Sequence, residues 1–216
     1  MAKKKQLPEE VAHSEAYVKD FFDMAVPSAI RFNVDHFICG DSYRSVWAIR
    51  EYPPQTSDQA LLARFGDKEA VTVHLYTRLV DGVEQRKILQ NASRKNKLLA
   101  NSNDLEDSVT GEGNLGDVVE LLGELRKNRE PLLHCAVFIE LSAGNLDKLR
   151  ELQSDVSMEM TREKISVDHL SMRQKEGFIA CMPCGYNIFG TQYERVLPAS
   201  AVANLFPFNY SGKTDK

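Results

Sequence analysis

Hydrophobic and polar positions alternate most regularly along the stretch AVTVHLYTR, which predicts a strand that is buried on one face. Its two sides are formed by Val71, Val73 and Leu75 and by Thr72, His74 and Tyr76. The stretch PLLHCAVFIELSAG is apolar almost without a break, as is typical of a central strand that is covered on both faces. Two further β-rich runs, 34–39 and 43–50, flank Gly40-Asp41-Ser42, and this spacing predicts a hairpin.

Apolar residues recur at helical spacing in several other segments. Helices are predicted over 14–26, 57–66, 83–99, 117–130 and 146–160, with Asn145 as the cap of the last one. The segment SMRQKEGFIACMPCG fits either a helix or a strand. Its apolar residues cluster at the helical period of about 3.6 residues, which favours a helix that ends near Pro183. A short strand is predicted near 164–169.

Strands and helices alternate only partly along the chain, in the order β-β-α-β-α-α-β-α-β-α. This order favours an α+β fold, with a mixed or mainly antiparallel sheet and helices packed on it, over a doubly wound parallel sheet. Its β-α-β pieces are compatible with ferredoxin-like packing. Three regions are expected: a flexible basic lead with a short helix over 1–25, an α+β domain over 26–185 and a linker over 186–216.

The composition is ordinary for a globular domain, with 43% hydrophobic and 27% charged residues among 216. The formal net charge of −4 argues against an electrostatic nucleic-acid binder. No apolar run approaches the roughly 18–20 residues that span a bilayer, and the lysine-rich start lacks the apolar stretch of a secretory signal. Four cysteines in a chain of this length do not form a disulfide framework. A cytoplasmic location is therefore expected.

Two glycine motifs point to nucleotide binding, and the context of each argues against it. The segment 111–116 matches G-x-G-x-x-G, yet the acidic residues before it lack a strand pattern and would repel a phosphate. Gly212-Lys213-Thr214 resembles the end of a P-loop, but Pro207 stands where the first glycine belongs and the required helix does not follow. No cofactor-binding residue is therefore expected, and 111–116 is interpreted as part of an exposed loop.

Cys181 and Cys184 form a C-x-x-C pair that resembles the redox motif of thioredoxin-like proteins, so a thiol oxidoreductase is the alternative function. That chemistry requires the first cysteine at a helix N-terminus, whereas here a helix is predicted to end at the motif. A zinc site requires four ligands, and no second C-x-x-C accompanies this pair. The five histidines, none paired at metal-binding spacing, are interpreted as strand residues. No catalytic or metal-binding residue is expected.

The helix predicted over 83–99 has a basic arc opposite its apolar side. This arc consists of Arg86, Lys87, Arg94 and Lys97. Such an arc is usually the solvated face of a helix. It is also the candidate interface in this chain, either for the phosphates of DNA or for an acidic partner protein.

Three segments together resemble the N-terminal region of a known protein family. They are VPSAIRFNVDHFICGDSYRSVWAIREYPP, with its hairpin and Tyr-Pro step, MRQKEGFIACMPCGYN, a helix that ends in a Pro-x-Gly turn, and RVLPASAVANLFPFNYSGKTDK. The family is that of the traffic ATPases of conjugative type IV secretion systems, CagE/TrbE/VirB, in the form carried by mobile elements of Gram-positive bacteria. The likeness covers most of residues 26–216.

This resemblance implies a non-catalytic docking and assembly domain over 26–185 that supports conjugative DNA transfer in the full-length protein. ATP and magnesium are expected only in a motor domain that is missing from this chain. The implied partners are inner-membrane channel subunits and the protein's own ATPase domain, with a homo-oligomer left open and DNA contact not the main role. The implied location is the cytoplasm, peripheral to the inner face of the cell membrane through those partners.

Overall fold

The computed structural model describes residues 29–53, 61–66, 68–100, 116, 123, 127, 130–183 and 185–205. Within these residues the strands are β1 (Ile30–Phe32), β2 (Phe37–Cys39), β3 (Ser42–Glu51), β4 (Val71–Leu79), β5 (Leu132–Ala143), β6 (Ser166–Asp168) and β7 (Arg195–Pro198). The helices are α1 (Ala63–Gly66), α2 (Gly82–Ala100), α3 (Leu146–Arg162), α4 (Gln174–Cys181) and α5 (Ala199–Asn204). The predicted lead, nearly all of the loop and helix predicted between 101 and 129, Cys184 and the Gly212-Lys213-Thr214 motif lie outside the described residues.

The seven described strands form one sheet, and all of their pairings are antiparallel. The strand order is β1-β2-β3-β5-β4. Strand β6 pairs with β3 on the side where β2 also pairs, and β7 pairs with β5 on the side where β3 also pairs. The four strands β6-β3-β5-β4 have the split β-α-β order of ferredoxin-like folds, since β5 lies between β3 and β4. The predicted α+β fold with a mainly antiparallel sheet is confirmed.

The central strand β5 is covered on both faces, as its apolar run predicts. Alternate residues point into two separate cores. Val137 and Ile139 belong to the first core, which α3 covers, while Phe138 belongs to the second, which α4 covers together with Phe189 and Tyr193. Burial of each large apolar side chain stabilises the fold by about 1.5–3 kcal/mol. The sheet is therefore the middle layer of three.

Helix α3 forms where the sequence predicts it. Asn145 caps its start, because the Oδ1 atom accepts a hydrogen bond from the backbone N of Lys148 at 2.8 Å. Leu149, Val156 and Met160 follow at helical spacing and are all buried against the sheet. Both the predicted cap and the predicted apolar stripe are confirmed.

Among the described strands and α-helices, β1, β7 and α5 were not predicted from the sequence, and neither was a 3-10 helix over Gly190–Gln192. The segment 186–216 is predicted as a linker, yet its described part contributes β7 to the sheet. Three of its side chains, Tyr193, Val202 and Leu205, are buried. Strands of three or four residues show little alternation of their own. The equally short β2 and β6 lie within longer stretches, 34–39 and 164–169, that were predicted as strands. Among the described helices, none combines the length and the apolar character that crossing a bilayer requires.

The side chain of Gln174 completes the hydrogen bonding of β3 where the sheet leaves a gap. On this edge β2 pairs with β3 as far as Arg44 and β6 pairs from Ala48, so Val46 faces neither strand. The Oε1 atom of Gln174 accepts a hydrogen bond from Val46 N at 2.9 Å, and Nε2 donates to Val46 O at 3.0 Å. Nε2 also donates to His169 O at 2.8 Å. This amide, which we call the Gln174 clamp, fixes the start of α4 on β3.

The next turn of α4 lies so close to β3 that it leaves no room for a side chain. A Cβ atom at Gly177 would lie 2.9 Å from Val46 Cβ and 3.2 Å from Leu170 Cδ1. Both neighbours are fully buried, and Val46 Cβ is attached directly to the strand backbone. The clamp and this glycine together set the height of α4 above the sheet.

We expect Gly177→Ala to lower the free energy of unfolding by about 1–3 kcal/mol, because the added methyl group overpacks α4 against β3. The better helix propensity of alanine, about 1 kcal/mol, offsets part of this loss. Gly144→Ala is the matched control, since a Cβ there meets nothing within 4 Å, and should change stability by less than about 0.5 kcal/mol. Urea unfolding of the two variants measures the difference, and equal stabilities would contradict the close approach.

We expect Gln174→Met to lower the free energy of unfolding by about 2–5 kcal/mol, because it preserves volume but leaves the N–H and C=O of Val46 buried without partners. Gln90→Met, on the exposed surface of α2, is the control and should stay within about 0.5 kcal/mol of the parent. Urea unfolding again provides the measurement. A loss below about 1 kcal/mol would show that the clamp is not needed to satisfy β3.

Candidate functional site

Strand register places three polar side chains together on the face of the sheet that α4 covers. Glu140 on β5 is paired with Thr72 on β4 and with Val46 on β3. His74 lies two residues after Thr72 on β4, and Arg44 lies two residues before Val46 on β3. Both are therefore diagonal neighbours of Glu140 on the same face. The carboxylate therefore lies between an imidazole on one side and a guanidinium on the other.

Cys181 reaches the same place from above, as the last residue of α4. The helix ends there, and Met182 N donates to Phe178 O before the chain turns at Pro183. Cys181 is buried, and its Sγ atom, a carboxylate oxygen of Glu140 and a ring nitrogen of His74 all lie within 4.8 Å of one another. We call these three residues the His–Glu–Cys cluster.

Glu140 is the charged centre of the cluster. Arg44 Nη1 lies 3.0 Å from its Oε1 atom, and His74 Nε2 lies 3.7 Å from its Oε2 atom. Burial acts to raise the pKa of Glu140, but the adjacent His74 and Arg44 side chains outweigh it and hold the pKa below its usual value. Glu140 is therefore an ionised carboxylate, with one oxygen occupied by Arg44 and the other directed to His74.

The Cys181 thiol has the opposite tendency. Burial, reinforced by the negative charge of Glu140, raises the pKa of Cys181 well above its usual value. A redox cysteine needs a lowered pKa and an exposed sulfur, so this environment argues against Cys181 as the nucleophile of a thiol oxidoreductase. That alternative, which also requires Cys184, stays a prediction.

A groove opens beside the cluster. It has a volume of about 430 Å³ and is lined by Val73, His74, Leu75, Tyr76, Cys181, Met182, Pro183 and Gly185. The Nε2 atom of His74 is buried at the edge of this groove without a hydrogen-bond partner. Buried polar atoms are nearly always hydrogen-bonded, so this nitrogen is available to a ligand.

The basic residues predicted as an interface lie on α2. Arg86, Lys87, Arg94 and Lys97 are all exposed, in agreement with their interpretation as a solvated face. Asp81 caps the start of the helix, because its Oδ1 atom accepts from the backbone N of Val83 and Glu84. Glu84 joins this first turn to β5, since it contacts His134 at 2.9 Å. The basic face and the His–Glu–Cys cluster are therefore formed by different elements, and whether the basic face binds a partner stays a prediction.

A second surface of functional interest lies at the opposite edge of the sheet from β4. All of β1 is exposed, and Ile30, Phe32 and Val34 follow one another at a spacing of two residues. Met172 is next to them, because its backbone N donates to Val34 O at 2.6 Å, and its side chain is 80% exposed. We call these four residues the β1 edge.

Sequence reasoning did not find the His–Glu–Cys cluster, because its members are far apart in the chain and show no metal-binding spacing. Alternation along β4 places His74 on the Tyr76 side, but only the register of β4 with β5 brings it to Glu140. Neither the family models nor the curated proteins compared with this chain match it.

We expect Arg44→Met to lower the free energy of unfolding by about 2–3 kcal/mol, because it leaves the buried carboxylate of Glu140 without its cation. Adding Glu140→Met should restore part of the loss, so the two changes are non-additive by more than about 1 kcal/mol. The exposed pair Arg64–Glu163, at 3.5 Å, is the control cycle and should couple by less than about 1 kcal/mol. Urea unfolding of all single and double variants measures both couplings, and equal values would contradict a special role for Glu140.

Proposed function

We propose that this chain is a non-catalytic docking and assembly domain of a conjugative type IV secretion ATPase, and that it supports DNA transfer in the full-length protein. The three sequence segments that resemble this family motivate the identity. The observation that supports a docking role most directly is the β1 edge. ATP and magnesium then act in a separate motor domain, and this domain connects that motor to the base of the channel.

The β1 edge combines two properties of a protein-binding surface. An edge strand presents N–H and C=O groups that a strand from another protein can pair with. Proteins usually protect such edges with charged residues or proline. In β1 the exposed Arg31 is such a residue, but Ile30 and Phe32 flank it, and Val34 in the following turn is 57% exposed. Within the described residues, β1 pairs only with β2. Strand addition by a partner would cover both the backbone groups and the apolar side chains.

Backbone strain at the neighbouring turn adds to this support. Leu170 and Met172 both have positive φ angles, 49° and 63°, which L-residues rarely adopt. Such conformations cost about 1–3 kcal/mol each and cluster at binding sites. Here they place Met172, whose side chain is exposed, in backbone contact with Val34.

The partner that suits this surface is an inner-membrane channel subunit with an exposed apolar strand. The protein's own ATPase domain is the second expected partner, and self-association remains a further candidate. The exposed basic face of α2 would add an electrostatic contact with an acidic partner. The formal net charge of −4 argues against DNA as the main ligand.

We expect Val34→Asp in the full-length protein to reduce conjugative transfer by about tenfold or more, because a charge within an apolar interface costs at least about 1.4 kcal/mol. Transfer frequency between donor and recipient cells is the measurement, together with co-purification of the protein with the channel complex. Steady-state protein levels and ATPase activity should be unchanged. Met158→Asp, at a side chain that is 63% exposed on α3, is the matched control and should change transfer by less than about twofold.

Normal transfer and normal co-purification by the Val34→Asp protein would contradict docking through the β1 edge. Charge reversal of Arg86 and Arg94 separates the remaining candidates. If only this reversal abolishes transfer, and the purified chain binds DNA with an affinity that falls steeply with salt, the basic face is the functional surface instead. Micromolar binding of ATP by the 216-residue chain would contradict the non-catalytic role itself.

A further inference from the structure

The His–Glu–Cys cluster contains the donor atoms of a transition-metal site. His74 comes from β4, Glu140 from β5 and Cys181 from the end of α4, and one ligand atom of each lies within 4.8 Å of the others. Imidazole nitrogen, carboxylate oxygen and thiolate sulfur are the three donor types that bind zinc in proteins. The sulfur disfavours magnesium and calcium, which bind oxygen ligands.

The distances within the cluster are close to those of a coordinated ion. Protein ligands lie about 2.0–2.3 Å from zinc, so the ligand atoms of one tetrahedral site are separated by about 3–4 Å. His74 Nε2 and Glu140 Oε2 are already 3.7 Å apart, too far for a good hydrogen bond and suitable for a shared metal ion. Cys181 Sγ lies within 4.8 Å of a ligand atom of each of these two residues.

The unsatisfied nitrogen of His74 also supports a ligand at this position. Its Nε2 atom is buried and makes no hydrogen bond. Loss of a hydrogen-bond partner for a buried polar atom is destabilising, and native structures rarely contain such atoms. An ion bound between this nitrogen and Glu140 would satisfy both groups at once.

The surroundings also supply negative charge for a divalent ion. Arg44 occupies Oε1 of Glu140 at 3.0 Å and leaves Oε2 for the ion, as outer partners of metal ligands commonly do. The carboxylate of Glu140 and the thiolate of Cys181 together supply two negative charges to the ion, and the guanidinium of Arg44 offsets one of them, so the bound site keeps one net positive charge. The groove beside His74 and Cys181 gives a path for entry and space for a water molecule as fourth ligand.

We propose that His74 Nε2, Glu140 Oε2 and Cys181 Sγ bind a Zn²⁺ ion, with a water molecule from the groove in the fourth position. On binding, the S–H bond of Cys181 breaks, its proton passes to solvent, and the sulfur forms a bond to the ion. The bound ion links the end of α4 to β4 and β5. This inference does not rest on the docking function and holds whether or not the β1 edge binds a channel subunit.

The first test is metal binding by the full 216-residue chain. The purified protein is stripped with a chelator, returned to metal-free buffer with a phosphine reductant, and titrated with ZnCl₂ in competition with a chromophoric chelator. We expect one ion per chain and a rise in the thermal unfolding midpoint on binding. Titration with Co²⁺ should produce a sulfur-to-cobalt charge-transfer absorption and the intense visible bands of a tetrahedral site.

The second test assigns the ligands. Loss of a group that hydrogen-bonds a metal ligand weakens metal binding by roughly 10–100-fold. Cys181→Ser and His74→Gln remove the ligands themselves, so each should weaken zinc binding by more than this. Cys39→Ser removes a free cysteine on β2 and is the matched control, with unchanged affinity and an unchanged cobalt spectrum. Cys184→Ser should also retain the charge-transfer band, which separates Cys181 from its neighbour in the C-x-x-C pair.

Several results would overturn the proposal. The proposal is refuted if the parent protein binds no zinc below millimolar concentrations, or if its cobalt complex lacks sulfur-to-cobalt absorption. Both measurements use the parent protein, so neither depends on whether a variant folds. Equal zinc affinity of the parent and Cys181→Ser would also refute it. Loss of binding in Cys184→Ser but not in Cys181→Ser would place the site elsewhere.

Discussion

The hydrogen bonds between the amide of Gln174 and the backbone of Val46 are the interaction on which the remaining architecture depends. They replace a missing strand pairing at the point where β2 ends and β6 has not yet begun. Because both backbone groups are buried, their loss would carry the full desolvation penalty of two unsatisfied polar atoms. The amide also fixes where α4 starts, and Gly177 then fixes how closely the helix approaches β3.

Both candidate surfaces follow from this placement of α4. Its eight residues extend for about 12 Å, from the strained turn that places Met172 in the β1 edge to Cys181 above His74 and Glu140. A helix fixed at its start and closely packed in its middle can bring its last residue to a defined position. Loose packing would leave Cys181 free to turn away from the sheet, and the cluster would not form.

Periodicity in the sequence was enough to predict the long elements β4, β5, α2 and α3, because each has enough residues to show which face meets the core. It missed β1 and β7, which have three and four residues, whereas the equally short β2 and β6 were found within longer predicted strands. The candidate cluster could not be predicted, since alternation assigns His74 to a face of β4 but says nothing of which β5 residue lies diagonal to it. The basic face of α2 could be predicted because its four residues repeat within one helix.

The positions of the two surfaces relative to α4 also bear on how their functions could be connected. A ligand at Cys181 can influence the β1 edge only if it binds two states of α4 with different affinity, because equal affinity shifts no equilibrium. The clamp and Gly177 oppose such a second state, since a shift of the helix would break buried hydrogen bonds at Val46 or create an overlap with it. A metal ion at the cluster would thus act mainly on stability, by fixing the end of α4, while docking at the β1 edge would proceed with or without the ion.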